Sequence, residues 1–181
     1  PSDPTATTPG EYDAAGEIPT LTFKRLKAKL PVVVPPVRYA LSANAPASIE
    51  LHPFEQRLLA DDPNAESGVA VGILPDTTQV FHILWLAAAD SWLPMISTFS
   101  HSGDLLKVQG LIIGECAPWV EPCFDCKETM IIDANYHVLT TDTVKDCECD
   151  STNMVVGPCN NYVKILEGIV TPRGTMMSPI R

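Results

Sequence analysis

The six cysteines are the feature that most limits how this chain can fold. All of them lie within 44 consecutive residues, and the first 115 residues contain none. They are Cys116, Cys123, Cys126, Cys147, Cys149 and Cys159. An even number of clustered cysteines is typical of a disulfide framework in an exported protein, because disulfides persist mainly in oxidising compartments. We therefore expect three disulfides that stabilise long loops at one end of the fold.

The spacing of the cysteines favours some pairings over others. Cys147 and Cys159 flank a segment rich in Asp, Asn, Gly and Pro, which we predict to be a loop between two hairpin strands. A bridge from Cys159 to Cys147, or to Cys149, would close this loop at a cross-strand distance. The other three cysteines belong to the loop one hairpin earlier, so at least one bridge is expected to join the two loops.

Two other interpretations of the cysteines compete with disulfides. Cys123-x-x-Cys126 and Cys147-x-Cys149 could supply four thiolates to a structural zinc ion. Against zinc, a single residue separates the second pair, and two further cysteines would be left over. Cys-x-x-Cys could also be a redox motif, but Pro122 precedes it and its surroundings resemble loops, not a helix N-terminus. We favour disulfides and expect no metal and no cofactor.

The charge of the chain excludes one class of partner. Lys and Arg number 12 and Asp and Glu number 22, which gives a net charge of -10 at pH 7. Nucleic-acid binding requires a basic surface that displaces counterions from the phosphates, so we expect no nucleic-acid partner. The chain is 45% hydrophobic, which is enough to build a packed core.

Residues 1–19 predict a flexible acidic tether that precedes a single mainly-β domain over residues 20–181. The tether contains four prolines, two glycines, four acidic residues and no basic residue. Such a segment has too little apolar surface to offset the entropy lost on ordering. An ordinary disordered N-terminus is the alternative to a tether with a role of its own.

The rest of the chain predicts mainly β structure. A short amphipathic helix is expected over Leu21–Leu30, and residues 42–66 are expected to be mostly irregular with one helical turn near Glu55–Ala60. Strands are predicted over Val69–Leu74, Val80–Leu86, Pro94–Ser100, Leu105–Ile113, Thr129–Ile132, Tyr136–Thr143 and Tyr162–Val170, with a last short strand after Pro172-Arg173-Gly174. Links this short require antiparallel pairing, because a parallel crossover needs about a dozen residues or more. The predicted fold is an antiparallel meander, an open sheet or a half-barrel with disulfide-stapled loops.

The turns between these strands resemble those of a known group of proteins. The matching segments are Ser102-Gly103-Asp104-Leu105-Leu106, Ile132-Asp133-Ala134-Asn135-Tyr136, Thr141-Asp142-Thr143 and Gly168-Ile169-Val170. Over about residues 68–178 the chain resembles uncharacterised surface lipoproteins of the Bacteroidetes envelope, although the cysteine cluster departs from their usual pattern. The resemblance implies a β-meander body, a place at the outer membrane or cell surface, and a lipid anchor on a cysteine that precedes the tether. It implies no activity.

No catalytic motif stands out, so we expect a protein that is not an enzyme and has no catalytic residues. A Gly-x-Ser-x-Gly nucleophile turn and phosphate-binding glycine loops are both missing from the sequence. Asp146, Glu148, Asp150 and Asn153 resemble the start of a calcium loop, but Ser151 replaces the glycine that such a loop requires. We interpret this stretch as a solvated acidic hairpin tip.

Two tryptophans are candidate binding residues. Trp92 and Trp119 are predicted in loops, where exposed aromatic side chains often mark interaction sites. Trp85 lies in a predicted apolar strand and is expected in the core.

These observations lead to three functional hypotheses. The first is an exported, lipid-anchored, non-catalytic interaction protein of the bacterial envelope, acting as an accessory subunit of an outer-membrane protein complex. The second is a surface glycan-binding protein or hydrolase that uses the loop tryptophans and acidic residues. The third is a zinc-stabilised module.

Overall fold

A computed structural model describes residues 17–41, 48–62, 67–75, 78–114, 116 and 121–178. Most of the predicted tether, residues 1–16, lies outside the described residues. In the described part, the helices are α1 (Glu17–Lys29) and α2 (Pro53–Ala60). The strands are β1 (Val37–Ala40), β2 (Ile49–Glu50), β3 (Gly68–Ile73), β4 (Phe81–Ala88), β5 (Trp92–Phe99), β6 (Leu105–Gly110), β7 (Phe124–Ile132), β8 (His137–Cys149), β9 (Val155–Thr171) and β10 (Gly174–Met177).

The strands form two open antiparallel sheets, which confirms the predicted mainly-β class. Sheet A has the order β2-β3-β4-β5-β6, so it is a meander in chain order. Sheet B has the order β1-β7-β8-β9-β10, in which β1 joins a second meander at the outer side of β7. The sequence did not predict the division into two sheets, nor the short strand β1 after Pro35-Pro36.

Sheet A is the middle layer of the molecule. Ile83 and Trp85 on β4 pack with residues of α1 and α2, whereas Leu84 packs with residues of sheet B. Successive side chains of a strand point to opposite faces of the sheet. Both faces of β4 are therefore covered, which explains why Phe81–Leu86 is buried at every position and has no alternating pattern.

Hydrogen bonds satisfy the polar groups that this middle layer buries. The Trp85 indole N–H donates to the Ser97 hydroxyl at 2.8 Å, and that hydroxyl donates to the Leu59 carbonyl of α2 at 2.6 Å. On the opposite face, His82 Nδ1 lies 3.0 Å from the Thr98 hydroxyl. The polar contacts thus join sheet A to α2 and β4 to β5. Trp85 is in the core, as predicted.

The two helices begin where their sequences favour it and cover one face of sheet A. His52 caps α2, and the Glu55 carboxylate accepts a hydrogen bond from the His52 backbone N–H at 2.8 Å, so both halves of a capping box are present. The Lys29 ammonium of α1 contacts the same carboxylate at 2.5 Å. Helix α1 begins at Glu17, four residues before the predicted start, so the last three residues assigned to the tether are helical.

Sheet B has the alternation of a sheet that is covered on one face. In β8, Val138, Thr140, Asp142 and Val144 are buried and the residues between them are more exposed. Met130 and Ile132 of β7 join Leu84 and Ile96 of sheet A in a second core cluster. The other face of sheet B is open, as is usual for an antiparallel sheet.

Replacing Phe23 by Ala tests the packing of α1 on sheet A. The Phe23 ring is 2% exposed and lies 5.7 Å from the Phe81 ring and 4.9 Å from the Phe99 ring, measured between centroids. We expect Phe23→Ala to lower the free energy of unfolding in urea by about 3–5 kcal/mol, because it leaves a cavity. Leu106→Ala is the control and should change that free energy by less than about 0.5 kcal/mol, since Leu106 is 53% exposed. A loss below about 1 kcal/mol for Phe23→Ala would contradict this packing.

Candidate functional site: the disulfide-stapled hairpin arm

The β8–β9 hairpin continues well beyond the core of the molecule. Its distal part, residues Lys145–Val163, contains no buried side chain; we call this segment the hairpin arm. All but four of its residues are exposed, and the four half-buried ones are Cys147, Cys149, Gly157 and Cys159. The arm therefore has no hydrophobic core of its own, and its three cysteines are its least exposed side chains apart from one glycine.

Two of the three disulfides involve the arm: one closes it across its two strands, and one joins it to the start of β7. Cys147 pairs with Cys159, which lies directly opposite on β9. Cys123 pairs with Cys149 and joins the residue before β7 to the end of β8. The remaining disulfide, between Cys116 and Cys126, joins the segment after β6 to β7. The predicted disulfides and the predicted link between the two cysteine-containing segments are both present.

All six cysteines are in disulfides, so Cys123-x-x-Cys126 and Cys147-x-Cys149 do not offer thiolates to zinc in this structure. Cys123 and Cys126 are bonded to different partners, which is not the arrangement of a Cys-x-x-Cys redox motif. Three disulfides indicate an oxidising, extracytoplasmic environment.

Cys116 and Cys123 lie outside the strands, as predicted, but the predicted loop position was wrong for the other four cysteines. Cys126, Cys147, Cys149 and Cys159 lie within strands β7, β8 and β9. This segment was predicted to be a long loop because it contains polar residues, Gly157 and Pro158. Its sequence shows no alternation of apolar and polar residues, because no core covers either of its faces. The Cys147-x-Cys149 spacing was the one sign in the sequence that this segment is a strand, because residues two apart point to the same face of a strand.

The tip of the arm is a tight turn built around Asp150. The Asp150 Oδ1 atom accepts hydrogen bonds from the Thr152 N–H at 2.8 Å, the Thr152 hydroxyl at 2.7 Å and the Met154 N–H at 3.1 Å. These bonds lower the pKa of the Asp150 carboxyl, with the Thr152 hydroxyl as the largest cause. Asn153 adopts a left-handed conformation with φ 59°. This carboxylate therefore stabilises the turn, and its neighbours Asp146 and Glu148 are exposed, as predicted for an acidic tip.

Apolar side chains are exposed along the β9 side of the arm. Met154 is 64% exposed, Val155 49% and Val156 66%; we call these three residues the apolar tip. Tyr162 and Val163 extend the exposed apolar surface towards the base of the arm. Exposed apolar side chains that form a contiguous patch often mark a surface that binds another protein.

Two buried carboxylates lie on neighbouring strands of sheet B at the base of the arm. Glu128 of β7 stands directly opposite Asp142 of β8, and both side chains are buried. The Glu128 carboxylate accepts hydrogen bonds from the backbone N–H groups of Ile113 and Gly114 at 3.2 and 3.1 Å. The Asp142 carboxylate lies within 4.8 Å of the Cys116 and Cys126 sulfur atoms. These sulfur atoms are bonded to each other, so they are not a thiolate pair for a metal ion.

An open groove lies on the exposed face of sheet B, among Asp133, His137, Leu139, Glu167, Ile169, Met176 and Ser178. His137 Nδ1 is 3.7 Å from an Asp133 carboxylate oxygen. His137 pairs across the strands with Ile169, and Ile169 with Met176, so two strand spacings of about 5 Å each separate His137 from β10. Ser178, just after β10, therefore lies on the far side of the groove from this histidine, not within hydrogen-bonding distance of it.

Of the two candidate tryptophans, Trp92 lies among the described residues. Trp92 is the first residue of β5 and is half-buried, and its backbone carbonyl accepts a hydrogen bond from the Tyr39 hydroxyl. Its predicted place in a loop was therefore wrong. Trp119 lies outside the described residues. Among the described residues, no helix is long and apolar enough to cross a membrane.

Comparison with known proteins gave no relative. No protein-family model, no curated protein and no solved structure matches this chain.

Peptide mapping without reduction tests the disulfide connectivity. We expect the links Cys116–Cys126, Cys123–Cys149 and Cys147–Cys159, because the strand register places Cys147 and Cys159 opposite each other. The intact protein should not react with an alkylating reagent until it is reduced. A Cys123–Cys126 link, or alkylation of the unreduced protein, would contradict the structure.

Proposed function

We propose that this chain is an exported, non-catalytic interaction protein that binds a protein partner through its hairpin arm. The observation that supports this proposal most strongly is that the arm is held by disulfides while its apolar tip is exposed. No other segment of comparable length among the described residues lacks a buried side chain and yet forms regular strands.

The energetics of the arm support a role in binding. Ordering a flexible loop on binding costs free energy, and cross-linking the loop beforehand removes much of this cost. In the arm, the turn bonded to Asp150 and the Cys147–Cys159 disulfide place the apolar tip in a defined position before any partner arrives. Two disulfides in a segment without a core support the view that the arm presents a defined surface.

The chemistry of the arm indicates what its partner presents. The apolar tip is bordered by Asp146, Glu148 and Asp150, which are all exposed. An apolar patch surrounded by lysines and arginines would complement this surface in shape and charge. The partner is thus a protein with an apolar, basic-rimmed surface.

The proposed location is the bacterial outer membrane, where the chain would be lipid-anchored and would serve as an accessory subunit of a protein complex. The disulfides support an extracytoplasmic location in general. The more specific location depends on the resemblance of the strand–turn succession to envelope lipoproteins, described above.

Charge substitution in the apolar tip tests the proposal. We expect Val156→Lys to release the protein from its complex in detergent-solubilised envelopes of the native cells, because it places a cation in an apolar contact facing a basic rim. Leu106→Lys is the matched control, since Leu106 is also an exposed aliphatic residue (53%) but lies on β6 of sheet A.

The readout is the size at which each variant elutes after solubilisation. The proposal predicts a large complex for the unsubstituted protein and for Leu106→Lys, and a free protein for Val156→Lys. If the unsubstituted protein elutes free, or if Val156→Lys stays in the complex, the arm is not the binding element. Recovery of the protein from the cytoplasm with reactive thiols would contradict the exported location.

A further inference from the structure

One edge of sheet B is left open along β9. Strand β10 pairs with β9 only over residues 168–171, and the Ser178 N–H then bonds to the Glu167 carbonyl. The Val170 N–H donates to the Tyr136 carbonyl on the β8 side, so the backbone groups of even-numbered residues in this part of β9 face β8. The backbone N–H and C=O groups of the odd-numbered residues therefore face away from β8, at Cys159, Asn161, Val163 and Ile165. Among the described residues, no strand pairs with this edge.

The open edge has a defined length. At one end, the Glu167 carbonyl already accepts a hydrogen bond from the Ser178 N–H, so Ile165 is the last residue whose edge-facing groups bond to no described strand. At the other end, the register changes: Cys147 pairs with Cys159, but Cys149 pairs with Val155, so β9 contains a bulge between these two pairs. A bulge bends its strand away from the plane of the ladder. The regular open edge is therefore Cys159–Leu166, and Val163 lies near its middle.

The open edge of one chain can pair with the same edge of a second copy. Two such edges, paired antiparallel about Val163, place Val163 opposite Val163 and Asn161 opposite Ile165 of the second copy. Cys159 would then lie opposite Glu167, whose carbonyl is bonded to the Ser178 N–H, so the pairing ends there. The apolar tip stays outside the pairing, so this surface is separate from the one proposed above for a protein partner.

The side chains agree with this register. Val163, which is 52% exposed, would contact its own counterpart. Tyr162 would stand opposite Lys164, whose ammonium already lies 5.6 Å from the Tyr162 ring of its own chain, so each ring could bind the other copy's cation. A register centred on Lys164 would instead place two lysines opposite each other, which is unfavourable.

The charge of the edge also favours a second copy. The chain as a whole has a net charge of -10, but residues 159–167 contain one basic residue, Lys164, and one acidic residue, Glu167. Two copies can therefore pair here without direct repulsion between like charges. Exposed edges of this length are usually blocked by prolines or several charged residues, and Pro158 lies just outside the segment.

From this geometry we propose that two copies of the chain associate through the Cys159–Leu166 edge of β9, in an antiparallel register centred on Val163, and form one continuous sheet. The proposal does not depend on the function proposed for the apolar tip, and it concerns the protein with its disulfides intact.

Sedimentation equilibrium tests the association directly. At concentrations up to roughly 100 µM, the oxidised protein should approach twice the 19.6 kDa mass of one chain. We expect Val163→Pro to weaken the association at least about tenfold, because it removes an N–H group that faces the edge and bonds to no described strand. Val163→Thr keeps that N–H group and the β-branched shape, and it should associate like the unsubstituted protein.

Charged variants at the same position test the register. Val163→Asp and Val163→Lys should each be monomeric, because two like charges would face each other. An equal mixture of the two should form a heterodimer, since only a register centred on Val163 places the new charges opposite each other. A monomer for the unsubstituted protein at the highest concentration, or a mixture that stays monomeric, would overturn the proposal. The thermal unfolding of each variant shows whether it is folded.

Discussion

Beyond Val144 the β8–β9 hairpin has no buried side chain up to Val163, and the Cys147–Cys159 and Cys123–Cys149 disulfides take the place of a core there. In an ordinary antiparallel sheet, side-chain burial on one face holds the strands in register. In the arm, the Cys147–Cys159 bridge joins residues that face each other, and the Cys123–Cys149 bridge joins β8 to the start of β7. Both proposed interaction surfaces depend on this constraint, since Val155 and Val156 of the apolar tip lie on the same strand as the open edge.

The two packed sheets from which the arm extends are stabilised by burial of apolar side chains. Sheet A is covered by helices on one face and by sheet B on the other, so its central strand β4 is fully apolar apart from His82. Sheet B is covered on one face only, by sheet A. Its outer face and the distal hairpin are therefore exposed to solvent. The molecule therefore separates a compact platform from an exposed arm, and the cysteines are all in the half of the chain that builds sheet B and its arm.

The sequence predicts the platform better than the arm. Apolar runs bounded by turns identify strands β3 to β6 nearly at their observed limits, and the helical periodicity of Phe23, Leu26 and Leu30 identifies α1. The distal half of β8 and the first seven residues of β9 were missed, because burial imposes no pattern on strands without a core. The division into two sheets was also missed, since it depends on a core cluster whose members, such as Leu84 and Met130, are remote in sequence. The disulfides were predicted from the cysteine cluster, but their place in strands was not.

Hydrogen exchange with and without reduction is the most direct test of the central claim that the disulfides maintain the arm. In the oxidised protein, peptides covering residues 145–163 should show protected amides where β8 and β9 bond to each other. After reduction, exchange in these peptides should accelerate strongly, while peptides covering β4 should remain protected, because β4 is held by the core. Fast exchange of the arm with its disulfides intact, or unchanged protection of the arm after reduction, would contradict the account.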